Sequence, residues 1–106
     1  MSKWTEWRGL KPKNFDWDGA SCYELGIGKS KRKAVRVYVG STKYEEGRLY
    51  DYFIRGSHLA DHINKAKRNN FKVYFRAQAK ITLNKAIKME KKLLKERYYA
   101  WNTQIN

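Results

Sequence analysis

Ser21-Cys22-Tyr23-Glu24-Leu25-Gly26-Ile27, a loop opened by Gly28, and then Ala34-Val35-Arg36-Val37-Tyr38-Val39-Gly40 decide how this chain folds. In residues 20–27, Tyr23, Leu25 and Ile27 alternate with their neighbours; in residues 34–39, Val35, Val37 and Val39 alternate with Arg36 and Tyr38. A period of two puts one set of side chains on each face of a strand. Two such strands joined by a short glycine-led loop predict an antiparallel hairpin.

Outward from the hairpin, residues 71–79 (FKVYFRAQA) alternate again and are expected to form a third strand. Ser57 is the expected N-cap of a helix running to about Asn69, with Leu59, Ile63 and Ala66 on one side. Residues 40–56, with three glycines and the aromatic run Tyr50-Asp51-Tyr52-Phe53, show no clear period. From Thr82 to about Trp101, Leu83, Ala86, Ile87, Leu93, Leu94, Tyr98 and Trp101 recur at helical spacing. The expected fold class is α/β (α+β), a three-stranded, mainly antiparallel sheet flanked by helices. Trp4, Trp7, Phe15 and Trp17 stand among Lys3, Arg8, Lys11 and Lys13, so residues 1–19 are expected to pack on the domain of residues 20–106.

Lys+Arg 24 against Asp+Glu 10 gives a formal net charge of +14 over 106 residues. Such a field gathers polyanions, and nucleic acid is the commonest target. Nothing approaches the ~18 apolar residues of a spanning helix. MSKWTEWRGLKPK lacks the apolar centre of a signal peptide. The lone Cys22 excludes an internal disulfide and a cysteine zinc cluster, so a reducing, intracellular (cytoplasmic) setting is expected. Basic side chains at Lys29, Lys31, Arg32, Lys33, Arg76 and Arg97 are candidate nucleic-acid contacts, which attract phosphate without reading sequence.

The C-terminal helix breaks its own pattern: at about 100° per residue, Glu90 falls near the centre of the apolar stripe and Arg97 beside it. A carboxylate there needs compensation. Either it pairs with Arg97 or Arg76, or it is a metal ligand balanced by a divalent cation.

Cys22-Tyr23 and Val37-Tyr38-Val39-Gly40-Ser41-Thr42 resemble the paired motifs of the GIY-YIG nucleases, with Ser21-Cys22 where that family has Gly-Ile. Glu90 on a late helix and Asn102 twelve residues beyond it follow the same order. The resemblance spans residues 20–102 and implies a metal-dependent DNA endonuclease acting on duplex or branched DNA. Glu90 would bind Mg²⁺ or Mn²⁺, and Tyr38 or Tyr23, in a cationic pocket that lowers the phenol pKa, would help take a proton from water. The family's phosphate-clamping arginine has three candidate counterparts. Arg48 stands eight residues after Gly40 with Tyr52 one turn on. Alternatively, Ser57-His58-Leu59-Ala60-Asp61-His62 is the family's helix start, which puts His58 in the arginine slot and His62 at a family histidine position. Residues 43–56 would then be an insertion, with Arg55 reaching in. With no room for a recognition domain, the resemblance implies loose or structure-based specificity, or a homodimer that cuts two strands. By analogy such an enzyme suits a phage or mobile element. The alternative is a basic nucleic-acid-binding module without catalysis.

Overall fold

In the computed structural model, which describes residues 4–55 and 57–105, the chain runs β1 (Arg8–Gly9), β2 (Ser21–Gly28), β3 (Val35–Thr42), α1 (Glu45–Ile54), α2 (Ala60–Arg68), β4 (Lys72–Ala79) and α3 (Leu83–Glu96). Lys3 and Gly56 lie outside the described residues. The sheet has four strands, not the expected three, in the order β1-β4-β2-β3 with every neighbour antiparallel. The added strand is only two residues long, too short to show a period, but the chain around it also follows β4: Thr5 N–H donates to Ala77 O at 2.9 Å and Leu10 N–H to Val73 O at 3.0 Å.

Both faces of the sheet are covered. Tyr23, Leu25, Tyr38, Phe75 and Ala77 face Leu49 and Tyr52 of α1, Leu59, and Ile63 and Ala66 of α2, with Leu10, Phe15 and Trp101 in the same core. Cys22 and Val39 face Ala86 and Leu93 of α3, with Tyr99 beside them and Trp4 and Met89 packed against the cluster. Removing each such large apolar side chain from water contributes about 2 kcal/mol. Among the described residues no helix is long and apolar enough to cross a membrane.

The segment without a sequence period divides between the end of β3 and a regular helix. Within residues 43–56, α1 occupies most of the stretch as a regular helix. Its first turn has no side-chain cap; Glu45 N–H donates to Gly19 O at 2.9 Å and Glu46 N–H to Trp17 O at 3.0 Å, which satisfies donors that would otherwise be orphaned. Ser57 does not cap α2. It begins a 3-10 turn (Ser57–Leu59) with φ 51°, and Leu59 holds the cap position without a side-chain bond. Thr82 does cap α3, accepting from Lys85 N–H at 3.2 Å.

The last helix ends at Glu96 rather than near Trp101, because Arg97 is extended. Tyr98, expected in the apolar stripe, is consequently 75% exposed. The break lets the chain wrap the free edge of β3: Tyr99 enters the core on the α3 side, and Trp101 enters the core on the α1–α2 side. Between them, Asn102 donates to Val39 O at 3.1 Å and accepts from Val39 N–H at 3.0 Å, so one amide closes the exposed edge.

Glu45 is an anomaly, with 3% of its surface exposed and no hydrogen bond to its Oε1. Burial pushes its carboxyl above the ordinary range and Asp16 adds to this, while nearby Ser21 and Arg8 offset part of it. A carboxyl whose pKa is higher folded than unfolded favours the fold while protonated and loses that contribution as pH rises through the raised value. Glu45→Gln should therefore stabilise the domain at pH 7 by about 1 kcal/mol, with the gain closing as pH falls through the carboxylate range. Urea unfolding at several pH values checks it; a variant less stable than wild type at neutral pH contradicts this account.

Candidate active site

Where β2 and β3 pair, Tyr23 stands opposite Gly40, and Leu25 opposite Tyr38. The tyrosine side chains therefore share the α1–α2 face. Gly40 makes room: a Cβ there would lie 2.5 Å from the Tyr23 hydroxyl oxygen. On α1, Arg48 and Tyr52 are one turn apart and face the same way, since residues i and i+4 lie on one side of a helix. Tyr23 and Tyr52 hydroxyls share a 2.6 Å hydrogen bond, with ring centroids 6.0 Å apart. Tyr38 lies 6.3 Å from Tyr52 by centroids, and its hydroxyl is 3.2 Å from Nε2 of His58. Ser57 Oγ lies 3.4 Å from Nδ1 of His58 and can accept from it; in that tautomer Nε2 is the acceptor facing the Tyr38 hydroxyl.

These phenols are not activated by a cationic pocket, contrary to the sequence-based expectation. Burial pushes Tyr38 well above its ordinary range, Tyr52 and Glu90 reinforce the rise, and Arg48 opposes it without winning. Tyr23 shifts the same way, again chiefly from burial, and only 1% of its surface is exposed. Desolvation of a charged phenolate outweighs one nearby guanidinium, which is itself only half-buried. For Arg48, burial works against its charge, but the phenols of Tyr23 and Tyr52 more than offset this and raise its pKa. His58 moves the other way: partial burial first and the Arg48 charge second hold its imidazole below the ordinary range. It is thus neutral, and a proton acceptor, at neutral pH.

Glu90 reaches the same strand from the α3 side. It is half-buried and accepts from Ser41 Oγ at 2.6 Å, next to Gly40. It forms no ion pair among the described residues. Arg76 and Arg97, the partners that the ion-pair alternative offered it, instead serve Glu24: Arg76 Nε is 2.7 Å from Oε1, and Arg97 Nη1 is 3.7 Å from Oε2. Arg76 is further enclosed by Trp4 and Trp7, 5.4 and 4.4 Å from its guanidinium carbon. The Glu90 carboxylate still acts on its surroundings. With burial as the larger cause, it helps push the Cys22 thiol up to about 12, which leaves that cysteine un-ionised.

Tyr23, Tyr38, Arg48 and His58 thus come together, with Glu90 beside Ser41 at the same strand end. Arg55, at the C-terminal end of α1, is exposed. His62 stacks on Trp101 at 5.1 Å, away from His58. Asn102 holds the backbone between Tyr38 and Gly40. Lys29 donates to Asn69 O at 2.9 Å, at the end of α2, and Lys31, Arg32 and Lys33 form a 3-10 turn at the far tip of the hairpin. Two participants were not singled out by sequence reasoning. Tyr52 was visible only as a neighbour of Arg48, and nothing in the sequence pairs Ser41 with Glu90.

A single half-buried carboxylate with one neutral hydrogen-bond partner, close enough for its charge to act on Tyr38, suits a hydrated divalent cation, which keeps several waters and needs only one or two protein carboxylates. Among the described residues there is no cluster of three or more His, Cys, Asp or Glu to form a closed metal cage. No curated protein and no solved structure matches the chain. The family model for GIY-YIG domain-containing proteins matches residues 11–106, and the chain belongs to that family, which generally comprises endonucleases.

Proposed function

We propose that this protein is a metal-dependent endonuclease that hydrolyses phosphodiester bonds in DNA, with low or structure-based sequence specificity. The observation that carries the reading is a half-buried Glu90, free of ion pairs among the described residues and hydrogen-bonded to Ser41 on the α3 side of β3, whose charge reaches Tyr38, which on the other side hydrogen-bonds His58 near Arg48. In this reading residues 20–106 carry the chemistry and the segment before them, from residue 4 on, packs against them.

Glu90 would hold Mg²⁺ or Mn²⁺, which when bound supplies positive charge to the phosphate and the departing 3′ oxygen. Arg48, permanently charged and forked, clamps a non-bridging phosphate oxygen. Tyr38 works as a relay: as it takes a proton from the attacking water, it passes its own to Nε2 of neutral His58. No phenolate accumulates, in keeping with a phenol whose ionisation burial disfavours. The resulting hydroxide forms the new P–O bond, the P–O3′ bond breaks, and the leaving oxygen takes a proton from solvent. Tyr23, too buried to meet water, holds Tyr52 and the floor of the site. Asn102 keeps Tyr38 in place through Val39.

The test is metal removal. Supercoiled plasmid incubated with the protein should become nicked or linear with Mg²⁺ or Mn²⁺ and stay intact in EDTA. If neither metal supports cutting of duplex, branched or single-stranded DNA, the chain is a basic binder and the catalytic reading is wrong.

A further inference from the structure

On the opposite edge of the sheet from β3, a groove of about 680 Å³ runs between the N-terminal segment, the end of α1, the end of α2 and the start of β4. Arg8, Lys11, Lys13, Lys31, Lys67 and Lys72 line it, against the single carboxylate of Glu6. Arg8 is partly neutralised by Asp16 at 3.1 Å, but the lysines are exposed and come from four separate stretches of chain. The wall also holds Phe53, Phe71 and Tyr74. Lys29 Nζ lies 4.6 Å from the Phe71 ring centroid and covers it, and Tyr74 is buried. Phe53 is 41% exposed, directly after Tyr52 of the candidate site. Glu6, Arg8, Gly9 and Leu10 precede the residues the family model matches, so one wall lies outside the matched region.

We infer that this groove binds a single strand of nucleic acid, apart from the residues that cleave. Cations dispersed along a recess match a phosphate backbone better than one compact anion. A recess of this size suits small groups rather than a whole duplex. Moreover, only an unpaired base offers Phe53 a free face to stack on. The inference rests on the nucleic-acid reading above and extends it: the N-terminal segment supplies a second contact.

Fluorescence anisotropy in EDTA, where no cleavage occurs, tests it with a labelled oligothymidylate of about 12 nucleotides and a duplex of the same length. The oligothymidylate is expected to bind. Phe53→Ala should weaken its binding about tenfold, and the Lys13→Glu, Lys72→Glu double variant should weaken it and flatten its salt dependence. Glu90→Gln should bind as wild type does. Unchanged affinity in both groove variants, or binding abolished by Glu90→Gln, overturns the inference. So does a duplex that binds more tightly than the oligothymidylate and depends on the same groove residues. Plasmid cutting separates the two readings: cleavage with groove variants that bind normally sinks only the groove, and groove binding without cleavage sinks only the nuclease.

Discussion

Glu90→Gln is expected to reduce metal-dependent DNA cleavage by about 10³-fold or more while leaving the fold and the affinity for uncut DNA in EDTA intact. The size follows from the work assigned to one group. A bound divalent ion contributes several kcal/mol to stabilising the transition state, and each 1.36 kcal/mol is about tenfold in rate. Glutamine keeps the volume and still offers an oxygen to Ser41 Oγ, now 2.6 Å from Oε1, so what it removes is charge. Ser41→Ala, which leaves the charge and removes its orienting donor, should cost far less. Plasmid cleavage rates with saturating Mn²⁺, set beside thermal melts of both variants, separate chemistry from folding. If Glu90→Gln cuts within tenfold of wild type, the ion is not held there. The relay through Tyr38 and His58 would then need a different source of charge for the leaving oxygen.

How much of this was legible in the sequence depends on what each element buries. The β2–β3 hairpin and β4 alternate cleanly because each places apolar side chains against a helix layer, and α3 is periodic because Ala86 and Leu93 face Cys22 and Val39. By contrast, α1 went unread. Its inward positions are Glu45, Arg48, Leu49 and Tyr52, so the site removes the apolar stripe that would have announced the helix. β1 has only two residues and no period to show. The true end of α3 was masked by Tyr98 and Trp101, which continue the helical spacing although the chain has turned to wrap β3. In the site, Glu90 stood out as a carboxylate in an apolar stripe and Arg48 as one of three candidates. The phenol pKa was misjudged because counting nearby cations says nothing about burial, and burial is the largest cause at both Tyr23 and Tyr38. Of the two readings of Glu90, the ion pair with Arg97 or Arg76 does not form, because both guanidinium groups serve Glu24. The overlooked signal was Glu24 itself, an acid between Tyr23 and Leu25 in a strand buried on both faces.

That buried acid should dominate the stability of the α3 side. Glu24 is 0% exposed; Arg76 Nε donates to Oε1 at 2.7 Å, and the Tyr99 hydroxyl donates to Oε2. Arg97, at 3.7 Å and with 39% of its side chain exposed, adds little. Burial first, and then the neighbouring carboxylate, push the Tyr99 phenol up, which keeps it protonated as a donor. Glu24→Ala leaves the Arg76 guanidinium between Trp4 and Trp7 with no counter-charge and leaves the Tyr99 hydroxyl without its acceptor. Breaking a buried pair by removing one partner costs about 3–5 kcal/mol, a large share of the roughly 5–15 kcal/mol that holds a domain of this size together. Glu24→Gln, which preserves an acceptor for Tyr99, should cost less. A Glu24→Leu, Arg76→Met pair should recover much of the loss, because it removes the orphaned charge as well as the acid. Chemical denaturation of the four proteins decides between a charge-pair origin and a packing origin. If Glu24→Ala costs under about 1 kcal/mol, or the apolar pair is worse than the alanine variant, the carboxylate is not what joins β2, β4 and Tyr99.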